Sequence, residues 1–205
     1  MKLLKNIILV VLSLLTSQFL MYYFIDEIIV MFVNSPVPYI IGRVLLGFVI
    51  FVSLKFLLKE FEIDPIYVDL AMILYSILLA SITLYKGSLA SRDYNFIPFN
   101  YLHYVSEVNL SIFIPAILIN ILMLVPLAAY LRVKNIKFAF AWKIIFSTSL
   151  IIELLQFITA RGTFDVDDLL LNTVGGCLGY FAVNLIHNQI TKTKLSDSAR
   201  LPSET

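Results

Sequence analysis

Near the C-terminal third the sequence reads Glu153-x-x-Gln156-x4-Arg161-x3-Asp165-x2-Asp168-x3-Asn172-x2-Gly175, set across two apolar runs, 138–159 and 169–187, each long enough to cross a bilayer. Ionisable groups inside membrane segments are costly to keep and are functional candidates by default. A carboxyl at the depth of Glu153 needs a partner or a proton. Two chemistries are open to this set. Arg161 can grip a phosphate or carboxylate with paired hydrogen bonds. Glu153, with Asp168 as a second carboxylate, can act as a general acid or base.

A second polar segment lies upstream, Ser91-Arg92-Asp93-Tyr94-Asn95-Phe96-Ile97-Pro98-Phe99-Asn100-Tyr101-Leu102-His103-Tyr104. Its aromatic residues suit a chain lying in the headgroup layer. The alternative is that it covers the downstream cluster with Arg92 and Asn95 turned inward. His103 reads as an interface histidine. The sequence offers no Ser-His-Asp or Cys-His order and no phosphate-cradling glycine loop. The single cysteine, Cys177, has no partner in the chain and the usual zinc spacings are absent, so neither a metal nor another cofactor is expected.

The elements that must position these residues are membrane helices. Of 205 residues 60% are apolar and 14% charged, against about 45–50% and about 25% in soluble domains. The net charge of +1 and the lack of a basic stripe exclude a nucleic-acid partner. Continuous apolar runs predict an all-α, polytopic integral membrane protein with about six spans: 6–25, 39–58, 66–85, 108–131, 138–159 and 169–187. The first is expected to be a retained span, because it is longer than a signal-peptide core and no A-x-A-like site follows. Residues 26–39 either extend the first helix or lie at the surface. Arg43 and Asp69 sit near span ends, where their side chains can reach the interface.

With both termini cytoplasmic, 11 of the 15 Lys and Arg residues fall inside, and the loops carrying Arg92 and Arg161 fall outside. One transmembrane domain is expected over 1–187, followed by a polar, disordered cytoplasmic tail, 188–205. Glu153 then lies roughly 12 Å below the outer end of its helix. Ser149, Glu153, Gln156 and Ala160 share one helical stripe, and Asp168, Asn172, Gly175 or Gly176, and Gly179 share another. The last two helices are expected to pack as a hairpin whose polar stripes meet at its outer end, with Asn109 opening the fourth span at the same face.

Each residue also has a structural reading. Asp165 can cap the last helix with Asp168 as its N3 partner. Arg161 can pair with a nearby aspartate, and Gln156 and Asn172 can bond neighbouring helices. Asp167 reads as a solvated loop charge.

At these residues the chain resembles the VanZ family, named for a bacterial teicoplanin-resistance protein. The resemblance rests on Arg92 with Asn95-Phe96-Ile97-Pro98-Phe99, Asn109 with Phe113-Ile114-Pro115, Ser149 with Glu153-Leu154-Leu155-Gln156, then Arg161, Asp165, Asp168, Asn172 and Gly175. It places the motif-bearing part within 86–187. Ala116 and Ile117 stand where the family often has a glycine. The resemblance implies a multi-pass protein of the bacterial plasma membrane whose polar motifs form one shared site on the extracytoplasmic side.

The favoured reading is a non-catalytic membrane protein recognising a lipid headgroup or lipidated glycopeptide. Its ligand-binding residues would be Arg92, Asn95, Asn109, Glu153, Gln156, Arg161, Asp165, Asp168 and Asn172, its partners membrane lipids, and its role teicoplanin or related resistance. One alternative is a membrane enzyme using Glu153 and Asp168 on a lipid-linked cell-wall precursor, with Asp165 and Asp168 able to hold a divalent cation. The other is a structural or assembly protein in which the polar cluster locks helices together.

Overall fold

The structure, a computed structural model, describes residues 2–58, 65–86, 93–100 and 109–198. Eight α-helices occur among them: α1 (Lys2–Leu20), α2 (Asp26–Val30), α3 (Pro36–Leu57), α4 (Pro65–Tyr85), α5 (Leu110–Met123), α6 (Val125–Val133), α7 (Phe138–Ile158) and α8 (Val166–Ser198). Two short strands, β1 (Tyr94–Asn95) and β2 (Phe164–Asp165), pair in parallel. Five segments are helical, long and apolar enough to cross a bilayer: Leu3–Val30, Pro36–Lys55, Pro65–Tyr85, Leu110–Val133 and Phe138–Ile158. The sixth expected span lies inside α8, whose apolar run is interrupted by Asn172, Thr173 and Asn184. The chain is an all-α, multi-pass membrane protein. Helix α8 continues to Ser198, so the expected tail boundary at 188 falls within it; residues 199–205 lie outside the described residues.

The described chain groups into two compact units, each discontinuous in sequence. The first comprises Met1–Phe99 and Ile151–Val166. Here α1 runs on through a π-helical turn, Met21–Ile25, into α2, so residues 26–30 extend the first helix. The inward stripe of this helix is Leu9, Ser13, Ser17 and Met21. A four-residue repeat drifts about 40° per step on a straight α-helix. The wider π turn offsets that drift where the stripe passes Met21. Helices α1 and α3 are antiparallel: Lys55 donates to Asn6 at one end (2.8 Å), and Ser17 donates to the Arg43 carbonyl toward the other (2.6 Å). Arg43 is bonded within this packing and stays partly exposed. It donates to Gln18 (2.7 Å), to the Tyr39 carbonyl (3.1 Å) and to Asp26 (2.5 Å). Val33 bridges to Lys86, and the Asn34 amide donates to the Tyr85 carbonyl, which joins the ends of α2 and α4.

The second unit comprises Asn100–Leu150 and Asp167–Thr205. Helices α5 and α6 form one bent span, interrupted at Leu124 just before Pro126, which cannot donate a backbone hydrogen bond. Leu124, Ala128, Ala141, Ile145 and Tyr180 are buried in its core. A Cβ on Gly175 would lie 1.9 Å from the Ile121 carbonyl oxygen, so only glycine fits there. Tyr180 donates its hydroxyl to the Ile136 carbonyl (2.7 Å), and Arg132 donates to Asn184 (2.7 Å).

Candidate functional site

The buried positions of α7 are Ala141, Ile145, Ser149, Ile152, Glu153 and Gln156, so the polar stripe read from the sequence is an inward face. The helix ends in a left-handed cap. Ala160 has φ 54°, its amide donates to the Phe157 carbonyl, and the Arg161 amide donates to the Gln156 carbonyl. This pairing is the Schellman arrangement, and it reverses the chain just past Gln156. Gly162 then lies against the Gln156 side chain, where a Cβ would approach its Oε1 to 3.2 Å.

After the reversal the chain enters β2 beside Glu153. The Asp165 amide donates to Glu153 Oε2 (3.1 Å), and Asn95 donates its side-chain amide to Asp165 Oδ1 (3.2 Å). The strand pair places Asn95 opposite Asp165 and Tyr94 opposite Phe164. The Phe164 amide donates to the Asp93 carbonyl (3.0 Å), and the rings of Phe96 and Phe164 lie 5.6 Å apart. Asn95 Oδ1 accepts from the Ile97 amide (3.1 Å), which fixes the turn before Pro98. Lys86 donates to Gln156 Oε1 (3.2 Å). Glu153 and Gln156 are each 1% exposed, so their bonds form away from water. Within the first unit, hydrogen bonds therefore link Asn95, Asp165 and Glu153 in one set and Lys86 with Gln156 in another, the two sets meeting on α7, where Glu153 and Gln156 stand three residues apart.

Arg161 stands at this end with its side chain half-buried. Its guanidinium has no hydrogen-bond or ion-pair partner among the described residues, although Asp165, Asp167 and Asp168 follow closely in the chain. The pairing that would have made it purely structural is not formed with any described residue. Arg92 and His103 lie outside the described residues.

The remaining expected residues belong to the second unit. Asn120 donates its side-chain amide to Asp168, and Ser149 donates to the Leu169 carbonyl (3.2 Å). Asn172 is 1% exposed, and its Oδ1 is buried with no hydrogen-bond partner among the described residues. Asn109 is exposed and caps α5, accepting from the Ser111 amide and hydroxyl (both 2.9 Å). Asp167 corrects the sequence reading: it is 4% exposed, not a solvated loop charge, because α8 already begins at Val166 and draws it into the first turn. Asp165 holds the position before that turn, where carboxylates suit the positive end of the helix dipole. Among the described residues no group of three or more His, Cys, Asp or Glu is placed to hold a metal.

Sequence reasoning did not single out two participants. Lys86 belongs to none of the motifs, yet it reaches Gln156. Asn120 is an amide inside an otherwise apolar helix and is only 9% exposed. A polar residue at that depth is itself a signal.

The family model described as VanZ/LLP1 matches residues 72–187, beginning upstream of the motif-bearing stretch expected from the sequence. The chain is 35% identical over 78 residues to Protein VanZ of Enterococcus faecium, a match covering 37% of this chain and 48% of that protein. The alignment thus spans about half the length of that relative. No solved structure matches. The family match takes in every residue of the Glu153–Gly175 string together with Lys86, Asn95 and Asn120, and the chain belongs to the VanZ/LLP1 family.

Proposed function

We propose that this protein recognises the anionic headgroup of an amphiphile at the polar end of its first unit, and that it serves resistance to teicoplanin or related lipidated glycopeptides. The observation that carries this reading is the Arg161 guanidinium, half-buried and without a described partner beside a ready-made hydrogen-bonded frame. A desolvated guanidinium without a counter-ion is costly, and phosphate or carboxylate oxygens answer it in bidentate geometry. Lys86 adds a second cation to the same end. Arg92 would add a third. Glu153 and Asn95 act as positioning residues, because Glu153 Oε2 accepts from the Asp165 amide, while Asn95 donates to Asp165 Oδ1 and accepts from the Ile97 amide. The setting is the bacterial plasma membrane, with this end extracytoplasmic, where lipid headgroups, lipidated glycopeptides and lipid-linked wall precursors are all within reach.

Cells expressing Arg161→Ala or Glu153→Gln at wild-type protein levels test the reading by their teicoplanin susceptibility. Loss of a charge-assisted contact costs about 1.5–3 kcal/mol, or roughly ten- to a hundredfold in affinity. Arg161→Ala is therefore expected to sensitise the cells, and Glu153→Gln to weaken resistance less. Wild-type susceptibility in both variants would remove the cluster from the working part of the molecule.

A further inference from the structure

We propose that the first unit carries a second ligand site, for an alkylammonium group, in the cavity of about 580 Å³ lined by Tyr22, Tyr23, Asp26, Glu27, Val30 and Tyr39. Every described lining residue precedes the family-matched region, which begins at residue 72, and none belongs to the hydrogen-bonded set around Glu153 and Gln156.

The lining has one chemistry. Three tyrosines and two carboxylates face a common space, and among the described residues its only other member is Val30. Tyr22 and Tyr23 stand edge to face, their ring centroids 5.0 Å apart at 87°. Aromatic faces attract a cation within about 6 Å, most strongly when it is partly desolvated. Arg43 binds Oδ2 of Asp26 but not Oδ1, which is buried without a hydrogen-bond partner among the described residues. Glu27 makes no hydrogen bond or ion pair with any described residue, so the cavity keeps a net negative charge. An anion is thereby disfavoured. The lining is set at the π turn, Met21–Ile25, where the helix is wider than an α-helix; such turns often mark functional sites. An ammonium carried on an acyl chain suits a cavity at the end of a membrane helix, whether it comes from an amino-headgroup lipid or from a free cationic amphiphile.

The test is equilibrium binding of dodecyltrimethylammonium to the purified full-length protein in a neutral detergent, with dodecyl sulfate as the anionic comparison. Saturable binding of the ammonium probe is expected. Glu27→Gln and Tyr22→Leu should each weaken it, Glu27→Gln by about tenfold, with unchanged thermal unfolding because both side chains are exposed. Equal affinity for the sulfate, or an unaltered affinity in Glu27→Gln, overturns the proposal. Arg161→Ala should leave ammonium binding intact, so failure here and failure at the anionic site are distinguishable. Displacement of the probe by phosphatidylethanolamine would support the proposal with a lipid headgroup as ligand. Saturable binding without displacement would support it with a free cationic amphiphile as ligand.

Discussion

Glu153 is buried among helices and holds the returning loop by its backbone. Its Oε2 takes the Asp165 amide, and Asp165 in turn takes the Asn95 side chain. A carboxylate used this way orders two loops at once. Glu153→Ala should lower stability by about 1.5–3 kcal/mol, while Glu153→Gln, which keeps an oxygen acceptor, should lose less. Thermal unfolding in detergent checks the ranking; equal losses would mean that the amide contact contributes little. Ala160 carries the opposite sign. A left-handed backbone costs an L-residue roughly 1–2 kcal/mol, which glycine avoids. Ala160→Gly should therefore raise the unfolding temperature, and a lowered one would show that the cap is not left-handed. Both residues were legible as positions on a stripe, but not in these roles. Spacing shows which face of a helix a side chain shares. It does not reveal a bond to a loop amide twelve positions away.

At the scale of elements, the spans could be read from the sequence because continuous apolar runs have few other uses. The inward face of α7 was legible too, since its polar residues recur at helical spacing. Contacts between distant segments were not. The β1–β2 pair joins two-residue strands about seventy positions apart, too short for any alternation to register. The π turn leaves no mark in composition, and neither does the ion pair between Arg43 and Asp26, which stands just past that turn. Removing one member of a buried ion pair costs about 3–5 kcal/mol, and less where water reaches it. The side chains of Arg43 and Asp26 are 24% and 20% exposed, so Arg43→Ala should destabilise by about 1–3 kcal/mol. Gly175→Ala is a harsher change, because the rigid Ile121 carbonyl occupies the space of the new methyl. It should sharply lower the yield of folded, monodisperse protein. A normal yield would mean that α5 and α8 do not meet at that point.

For the whole molecule, membrane class and family were both written in the sequence, one in composition and the other in separated polar motifs. The grouping into two discontinuous units was not, because it depends on which helices touch and not on where apolar runs begin. Lys and Arg asymmetry gives an orientation that cysteine labelling of intact cells can check. In a Cys177→Ala background, Asp93→Cys and Thr163→Cys should react with an impermeant maleimide, and Leu58→Cys should react only after permeabilisation. The reverse pattern would place the anion-binding end in the cytosol. The central claim, that Arg161 is held open for an anionic headgroup, is tested most directly by equilibrium binding of dodecyl phosphate to purified wild-type protein and to Arg161→Ala. The wild type should bind saturably and the variant roughly ten- to a hundredfold more weakly, with unchanged unfolding temperature. Equal affinities in two equally stable proteins would contradict it.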